Sequence, residues 1–201
     1  MLSSIVSMLI LVNPLALFVY LGPIIRELDA PSFRGVLMRA SWISLALLLM
    51  FAGGGGFIFD HIFHIRFGSF RIFGGLVIAC IALIFIVRGR KTLITLKPDL
   101  DAVAAEIALP YMVGAGSISL SILLSKQYGF IRAAGAIVVA MAVNYAAILA
   151  LLAIWHYLPA RRFRVAFGKL MGILLRINGF FMGAIGVDMV VRGIQSVIAG
   201  Q

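Results

Sequence analysis

The chain has 201 residues, of which 63% are hydrophobic and 12% are charged, and its mean hydropathy is +1.15. A soluble domain carries about 25% charged residues, because its surface must face water. The composition therefore excludes an ordinary soluble enzyme, a disordered protein and a disulfide scaffold, and it predicts a protein of the lipid bilayer. The net charge of +10 does not indicate nucleic acid as a partner, because the basic residues stand in short clusters between apolar runs.

Six apolar runs are long enough to cross a bilayer as helices, which takes about 20 residues each. They are Leu2–Ile24, Gly35–Phe59, Phe67–Val87, Ala102–Leu124, Gly129–Tyr157 and Met171–Ile198. These runs lack the period-two alternation that is typical of membrane β-strands. We therefore predict an all-α membrane protein in which six transmembrane helices form one domain over residues 1–201.

The basic residues predict the orientation of the chain. Eleven of the 17 Lys and Arg residues lie in or beside the loops after the first, third and fifth spans, and five lie on the opposite side. Because cytoplasmic loops are enriched in Lys and Arg, we expect these loops inside and both termini outside. No basic residue precedes the first apolar run, so we expect this run to be a retained span rather than a cleaved signal.

The two halves of the chain share features at matching places. The first span contains Asn13-Pro14, and the fourth contains Gly114-Ala115-Gly116-Ser117, each near the middle of its run. The third and sixth spans both carry Arg-Ile followed by Gly, at Arg71 and Arg176. Because each half has three spans, the halves must run in opposite directions through the membrane.

Inverted repeats with helices broken at matching places are typical of secondary transporters. We therefore predict two inverted three-helix repeats, at about residues 1–97 and 98–201, with helices 1 and 4 broken. The alternative is that Gly and Pro serve as packing or kink residues, which are common in transmembrane helices.

The two breaks predict a substrate-binding site near the middle of the membrane. Its candidate residues are Asn13, Pro14, Gly114, Ala115, Gly116, Ser117 and Ser119. A helix that begins at a break offers unpaired N–H groups and a positive dipole end, which suit a carboxylate. Glycine lets a ligand approach the backbone, and the Asn and Ser side chains can donate hydrogen bonds. The alternative for the serines is a hydrogen bond to their own helix.

Asp188 and Asn144 are candidates for gating or ion coupling, because polar groups inside a membrane are functional candidates. For Asp188 we favour an ion pair with Arg192, which follows four residues later. For Asn144 we favour a hydrogen bond to a neighbouring helix. We interpret Arg71 and Arg176 as anchors whose long side chains reach the membrane surface.

We expect no metal, no cofactor and no enzymatic activity, although coupling to Na⁺ or H⁺ stays open. His61 and His64 flank a short loop, and with Asp60 they match no closed metal site. A thiol oxidoreductase needs two cysteines, and Cys80 stands alone. A serine protease would need Ser117 to meet His156, and Ser117 lacks the Gly-x-Ser-Gly turn of rhomboid-type proteases.

Four stretches resemble the MarC family of integral membrane proteins, also called the neutral amino acid transporter family. They are Asn13-Pro14, residues 67–75, residues 108–119, and residues 175–189 with Asn178-Gly179 and Asp188. The resemblance implies six transmembrane helices, a prokaryotic inner or plasma membrane, and transport of small neutral amino acids such as glycine or alanine. The chain differs from the family pattern at Ala16-Leu17, Glu106-Ile107 and Ala115.

Together these features predict a secondary transporter of small metabolites that works by alternating access, with small neutral amino acids as the substrates that the resemblance implies. An exporter of another small or toxic compound, a channel and a non-transporting helper protein are the alternatives. The expected partners are bilayer lipid and a small-molecule substrate. The apolar faces of the second and fifth spans could also contact another copy of the chain.

Overall fold

A computed structural model describes residues 2–59, 64, 66–88, 100–157 and 161–199, which form helices and no strand. The helices are α1 Leu2–Val12, α2 Pro14–Tyr20, α3 Gly22–Glu27, α4 Ala30–Phe57, α5 Phe67–Arg88, α6 Leu100–Glu106, the π-helical segment Ile107–Met112, α7 Ala115–Tyr128, α8 Phe130–Tyr157 and α9 Arg161–Ile198. Asp60, His61 and the predicted boundary between the repeats at residues 97 and 98 lie outside the described residues.

Five stretches of the described residues are long and apolar enough to cross a membrane. They are Leu2–Tyr20, Ala30–Gly55, Phe67–Val87, Phe130–Tyr157 and Val165–Ile198. The fourth predicted span, Ala102–Leu124, is divided into α6, the π-helical segment and α7, each shorter than the roughly 20 residues that a crossing needs. The helical membrane fold is therefore confirmed, and the number of six spans stays a prediction.

The last helix, α9, begins ten residues before the predicted start of the sixth span at Met171. Its 38 residues extend over about 57 Å, which is longer than the bilayer core. The predicted span rests on hydropathy and therefore begins only after the charged Lys169. Arg and Lys are good helix formers, so the helix continues through Arg162 and Lys169 beyond the apolar region.

The most extensive contact between two helices joins α5 to α9. The backbones touch at glycines: a Cβ atom added to Gly186 would lie 2.7 Å from the carbonyl oxygen of Gly75. A Cβ atom added to Gly193 would lie 2.8 Å from the carbonyl oxygen of Gly68. Small residues permit this approach, which gives membrane helices much of their packing energy.

Eight buried positions of α4 have buried counterparts 100 residues later in α8. In α4 they include Phe33, Val36, Leu37, Ala40, Ser41, Ser44, Leu48 and Ala52. In α8 they are Ala133, Ala136, Ile137, Ala140, Met141, Asn144, Ile148 and Leu152, so the second set is the first shifted by 100 residues. Helix α4 packs on α6 and α7, and α8 packs on α1, α2 and α7; the two helices also pack on each other. Related halves would produce this match; the inverted repeat itself stays a prediction.

Candidate functional site

The first helix is interrupted at Asn13, which lies between α1 and α2 in the left-handed region at φ 53° and ψ 74°. Asparagine tolerates this conformation better than most residues with a side chain. Its Oδ1 accepts a hydrogen bond from the backbone N–H of Ala16 at 3.0 Å, and its Nδ2 lies 3.3 Å from Sδ of Met182 on α9. Asn13 is 3% exposed, so its side chain caps α2 and ties the break to α9.

The second interruption lies at residues 109–114. Leu109 is extended at φ −122° and ψ 118°, as expected for a residue that precedes a proline, and Gly114 is extended at φ −115° and ψ 173°. Ser117 Oγ accepts a hydrogen bond from the Gly114 N–H at 3.0 Å, and its O–H faces the carbonyl oxygens of Met112 and Gly114 at 3.2 and 3.1 Å. Ser117 therefore holds this break in place.

Both breaks face one cavity of about 320 Å³. Five of the seven predicted substrate-binding residues line it: Asn13, Gly114, Ala115, Gly116 and Ser117. The other walls are mostly apolar and consist of Leu11, Val12, Ala16, Leu17, Tyr20, Val77, Ile78, Ile81, Ile84, Phe85 and Met182. The predicted site does not include the wall that α5 contributes, which consists of Val77, Ile78, Ile81, Ile84 and Phe85. These residues belong to a continuous apolar run, in which no sequence feature indicates a cavity.

The N-terminus of α7, rather than that of α2, offers hydrogen-bond donors to this cavity. Pro14 at the start of α2 has no N–H, and Asn13 already binds the N–H of Ala16. The first N–H groups of α7, at Ala115 and Gly116, have no partner within that helix. A Cβ atom at Gly116 would collide with Cδ1 of Ile78, so any larger residue at this position would have to displace that side chain where α7 meets α5. Of the two helix N-termini that the sequence predicts as hydrogen-bond donors to a substrate, the structure therefore leaves one, that of α7.

Ser119 and Asp188 line a second cavity, of about 310 Å³. Its polar residues are Ser3, Ser4, Ser7, Arg71, Ser119, Gln127, Tyr128, Asp188 and Arg192. Residues two apart on a helix face opposite sides, which explains why Ser117 and Ser119 line different cavities. Leu11 lines both cavities, so it stands between them.

Asp188 forms the ion pair with Arg192 that its spacing indicates, with Arg192 Nε 2.8 Å from Oδ2. Both side chains are more than half exposed. Asn144, by contrast, is fully buried, and neither its Nδ2 nor its Oδ1 has a hydrogen-bond partner among the described residues. The hydrogen bond to a neighbouring helix that the sequence favours for Asn144 is therefore not formed among the described residues. Asn144 also lines neither of the two cavities.

The residues considered for enzymatic chemistry are occupied elsewhere. Nδ1 of His156 lies 3.0 Å from the carbonyl oxygen of Leu152 in its own helix. Ser117 bonds to the backbone around Gly114. The Ser117 and His156 side chains therefore do not form a nucleophile–base pair.

A bundle of apolar helices, two of them interrupted beside a shared cavity, defines a multi-pass integral membrane protein. Over residues 1–198 the chain matches the family described as MarC family integral membrane protein, and it belongs to that family. It is similar to a UPF0056 membrane protein of Pyrococcus horikoshii, with 29% identity over 198 residues that cover 98% of this chain and 94% of the relative. No solved structure matches the chain. The resemblance noted in the sequence is thereby confirmed.

Proposed function

We propose that the protein is a secondary transporter of small neutral amino acids, which it carries across a prokaryotic inner membrane by alternating access. Both termini lie outside, and the gradient of Na⁺ or H⁺ drives the movement. The observation that carries this proposal is the shared cavity of the two breaks. It combines the start of α7 at Ala115 and Gly116 with a mostly apolar wall.

The dimensions and chemistry of the cavity suit such a substrate. Small-molecule sites begin at about 300 Å³, so a cavity of about 320 Å³ fits a small metabolite. The N-terminus of α7 would hold the substrate carboxylate through N–H groups and the helix dipole. The apolar wall that includes Val77 and Ile78 would contact a neutral side chain.

The packing of the helices supports an inverted repeat around this cavity. Gly75 contacts Gly186, and Ala82 contacts Gly179, so α5 and α9 pack against each other along their length. The buried positions of α4 and α8 match at a shift of 100 residues, as related halves would produce. In transporters of this kind, one repeat rocks against the other around a site at the midplane.

A second candidate is export of a more apolar compound. Ile81 and Ile84 line the cavity and also belong to the exposed surface of α5, so the cavity reaches the surface of the bundle there. An apolar compound dissolved in the bilayer could enter at this place. The two functions differ in whether the cargo requires a carboxylate.

The test is uptake by proteoliposomes that contain the purified protein. We expect saturable uptake of labelled L-alanine that depends on an imposed Na⁺ or H⁺ gradient. Gly116→Leu should abolish uptake, because the new side chain fills the cavity beside Ile78 and Leu11. Gly135→Leu is the matched control, since a Cβ atom there meets nothing within 4 Å and the residue is exposed on α8.

Gradient-independent, non-saturable flux would indicate a channel. If no amino acid is carried but an apolar compound is, and Gly116→Leu blocks that movement, the exporter is correct. Equal uptake by Gly116→Leu and the wild type would contradict a substrate site at the two breaks. The melting temperature of each variant shows whether a lost activity reflects a lost fold.

A further inference from the structure

We propose that the second cavity is a separate carboxylate-binding site, in which Arg71 supplies the cation and Ser119 a hydrogen-bond donor. Its ligands are small carboxylates, including the amino acids of the proposed function. The role of this site in transport rests on that proposed function. The site lies where the first two turns of α1 meet α5, α7 and α9.

The charges around this cavity leave one cation to attract an anion. Three charged residues line it: Arg71, Asp188 and Arg192. Asp188 and Arg192 neutralise each other in their ion pair. Arg71 is half-buried, and no carboxylate of the described residues lies within ion-pair distance of it. A guanidinium group binds a carboxylate through two parallel hydrogen bonds, more strongly where water is partly excluded.

Neighbouring groups orient Arg71 and add positive potential. Cζ of Arg71 lies 5.9 Å from the centre of the Phe67 ring, one turn earlier on α5. Nζ of Lys126 lies 4.9 Å from the centre of the same ring. A snorkelling anchor needs only access to the membrane surface, whereas Arg71 also lines a cavity with serine and glutamine side chains.

Ser119 is the second, independent indication of a ligand. It lines this cavity, it is 3% exposed, and its Oγ has no hydrogen-bond partner among the described residues. Buried hydroxyl groups are rarely left unpaired. Ser117 and Ser121, which flank it on α7, both bond to their own backbone, so Ser119 is the serine of this turn whose hydrogen bond is left for a ligand.

Leu11 connects this site to the cavity at the breaks, because its side chain lines both. A carboxylate that leaves Arg71 and passes Leu11 would reach the N–H groups at the start of α7. The polar cavity would then act as a waiting position, in which the ligand exchanges its water for protein contacts before it enters the mostly apolar cavity.

The experiment is calorimetric titration of the purified wild-type protein and its variants with L-alanine, acetate and L-alaninamide, which lacks the carboxylate. We expect Arg71→Gln to weaken one class of L-alanine and acetate sites about 10- to 100-fold, and Ser119→Ala about 3- to 10-fold. L-Alaninamide should not bind at this site. Arg176→Gln is the matched control, since Arg176 is exposed on α9 and lines neither cavity.

Gly116→Leu separates the two cavities, because it fills the one at the breaks and should leave the Arg71 site intact. The inference is overturned if Arg71→Gln and Ser119→Ala both bind like the wild type, if the wild type binds no carboxylate, or if L-alaninamide competes equally. Binding that depends on Arg71 without any uptake would refute the transport proposal alone. If the Arg71→Gln variant binds and takes up L-alanine like the wild type, this site is refuted and the transport proposal stands.

Discussion

Ser44 on α4 and Asn144 on α8 occupy corresponding positions and are both fully buried, yet their hydrogen bonding differs. Ser44 Oγ donates to the carbonyl oxygen of Ala40 at 2.8 Å and lies 3.2 Å from Sδ of Met112. The amide of Asn144 finds no partner in the described part of the chain. Two buried polar residues 100 positions apart therefore differ, since one is satisfied and the other is not.

Replacing Asn144 by leucine should raise the stability of the protein. The side chains are similar in size, and an unpaired buried polar group costs about 1–3 kcal/mol. We expect a higher Tm for Asn144→Leu in detergent, together with slower uptake in proteoliposomes if the amide serves transport. Ser44→Ala is the comparison, and it should not raise Tm. An unchanged or lower Tm for Asn144→Leu would mean that the amide is satisfied in solution.

Ser117→Ala should destabilise the break at residues 109–114 far more than Ser121→Ala does, although both serines are buried on α7. Ser117 Oγ accepts the N–H of Gly114 across the break, whereas Ser121 only donates back to Ile118 in its own helix. We expect a loss of about 1–2 kcal/mol for Ser117→Ala and less than about 0.5 kcal/mol for Ser121→Ala. Unfolding of both variants under the same conditions checks this; equal losses would contradict a role for Ser117 in holding the break.

Asn13 should tolerate glycine better than valine. Its φ of 53° costs a residue with a side chain about 1–2 kcal/mol, and a β-branched residue more, whereas glycine adopts it freely. Both variants lose the cap on Ala16 and the contact with Met182, so these two losses do not contribute to the difference between them. We expect a clearly lower Tm for Asn13→Val than for Asn13→Gly. The reverse order would show that Asn13 leaves the left-handed conformation in solution.

Gly186→Ala should separate α5 from α9, whereas Gly183→Ala should be tolerated. A Cβ atom at Gly186 would meet backbone atoms, the oxygen of Gly75 at 2.7 Å and the nitrogen of Ala79 at 3.0 Å, which cannot move without shifting a helix. At Gly183 the added atom lies 3.5 Å from the Cβ atom of Ala82, an ordinary contact. We expect Gly186→Ala to lower stability by about 1–3 kcal/mol and Gly183→Ala to change it little. Similar Tm values for the two would contradict the close packing.

Asp29 should make the N-terminus of α4 sensitive to acid. Hydrogen bonds from Ser32 to the Asp29 carboxylate, through the side chain and the backbone, hold its pKa below the usual 3.8. Because the folded pKa is lowered, the stabilisation is present above the usual value and is lost as the pH falls through the folded pKa. Asp29→Asn keeps a capping side chain but no charge, so its Tm should fall less steeply toward acidic pH. Parallel pH profiles of the two proteins would contradict this.

Part of the candidate site could be predicted from local sequence. Asn13-Pro14 and Gly114 to Ser117 combine residues that weaken helices with positions deep inside apolar runs, and both breaks lie where this pattern indicates. The separation of Ser119 from Ser117 also follows from helical spacing. The wall from α5 could not be found in this way, since Val77 and Ile78 differ in no local property from residues that face lipid.

The sequence by itself determined that the chain belongs in a membrane, where its long helices lie, and where two of them are interrupted. Composition, the length of apolar runs, and Gly and Pro preferences are local properties, so no knowledge of distant contacts is needed. Only the tertiary structure decided that the breaks share one cavity, that Asn13 caps a helix, and that Arg71 and Ser119 both line another cavity. These outcomes depend on how each helix is rotated against partners remote in the chain, which packing such as that of Gly75 on Gly186 sets.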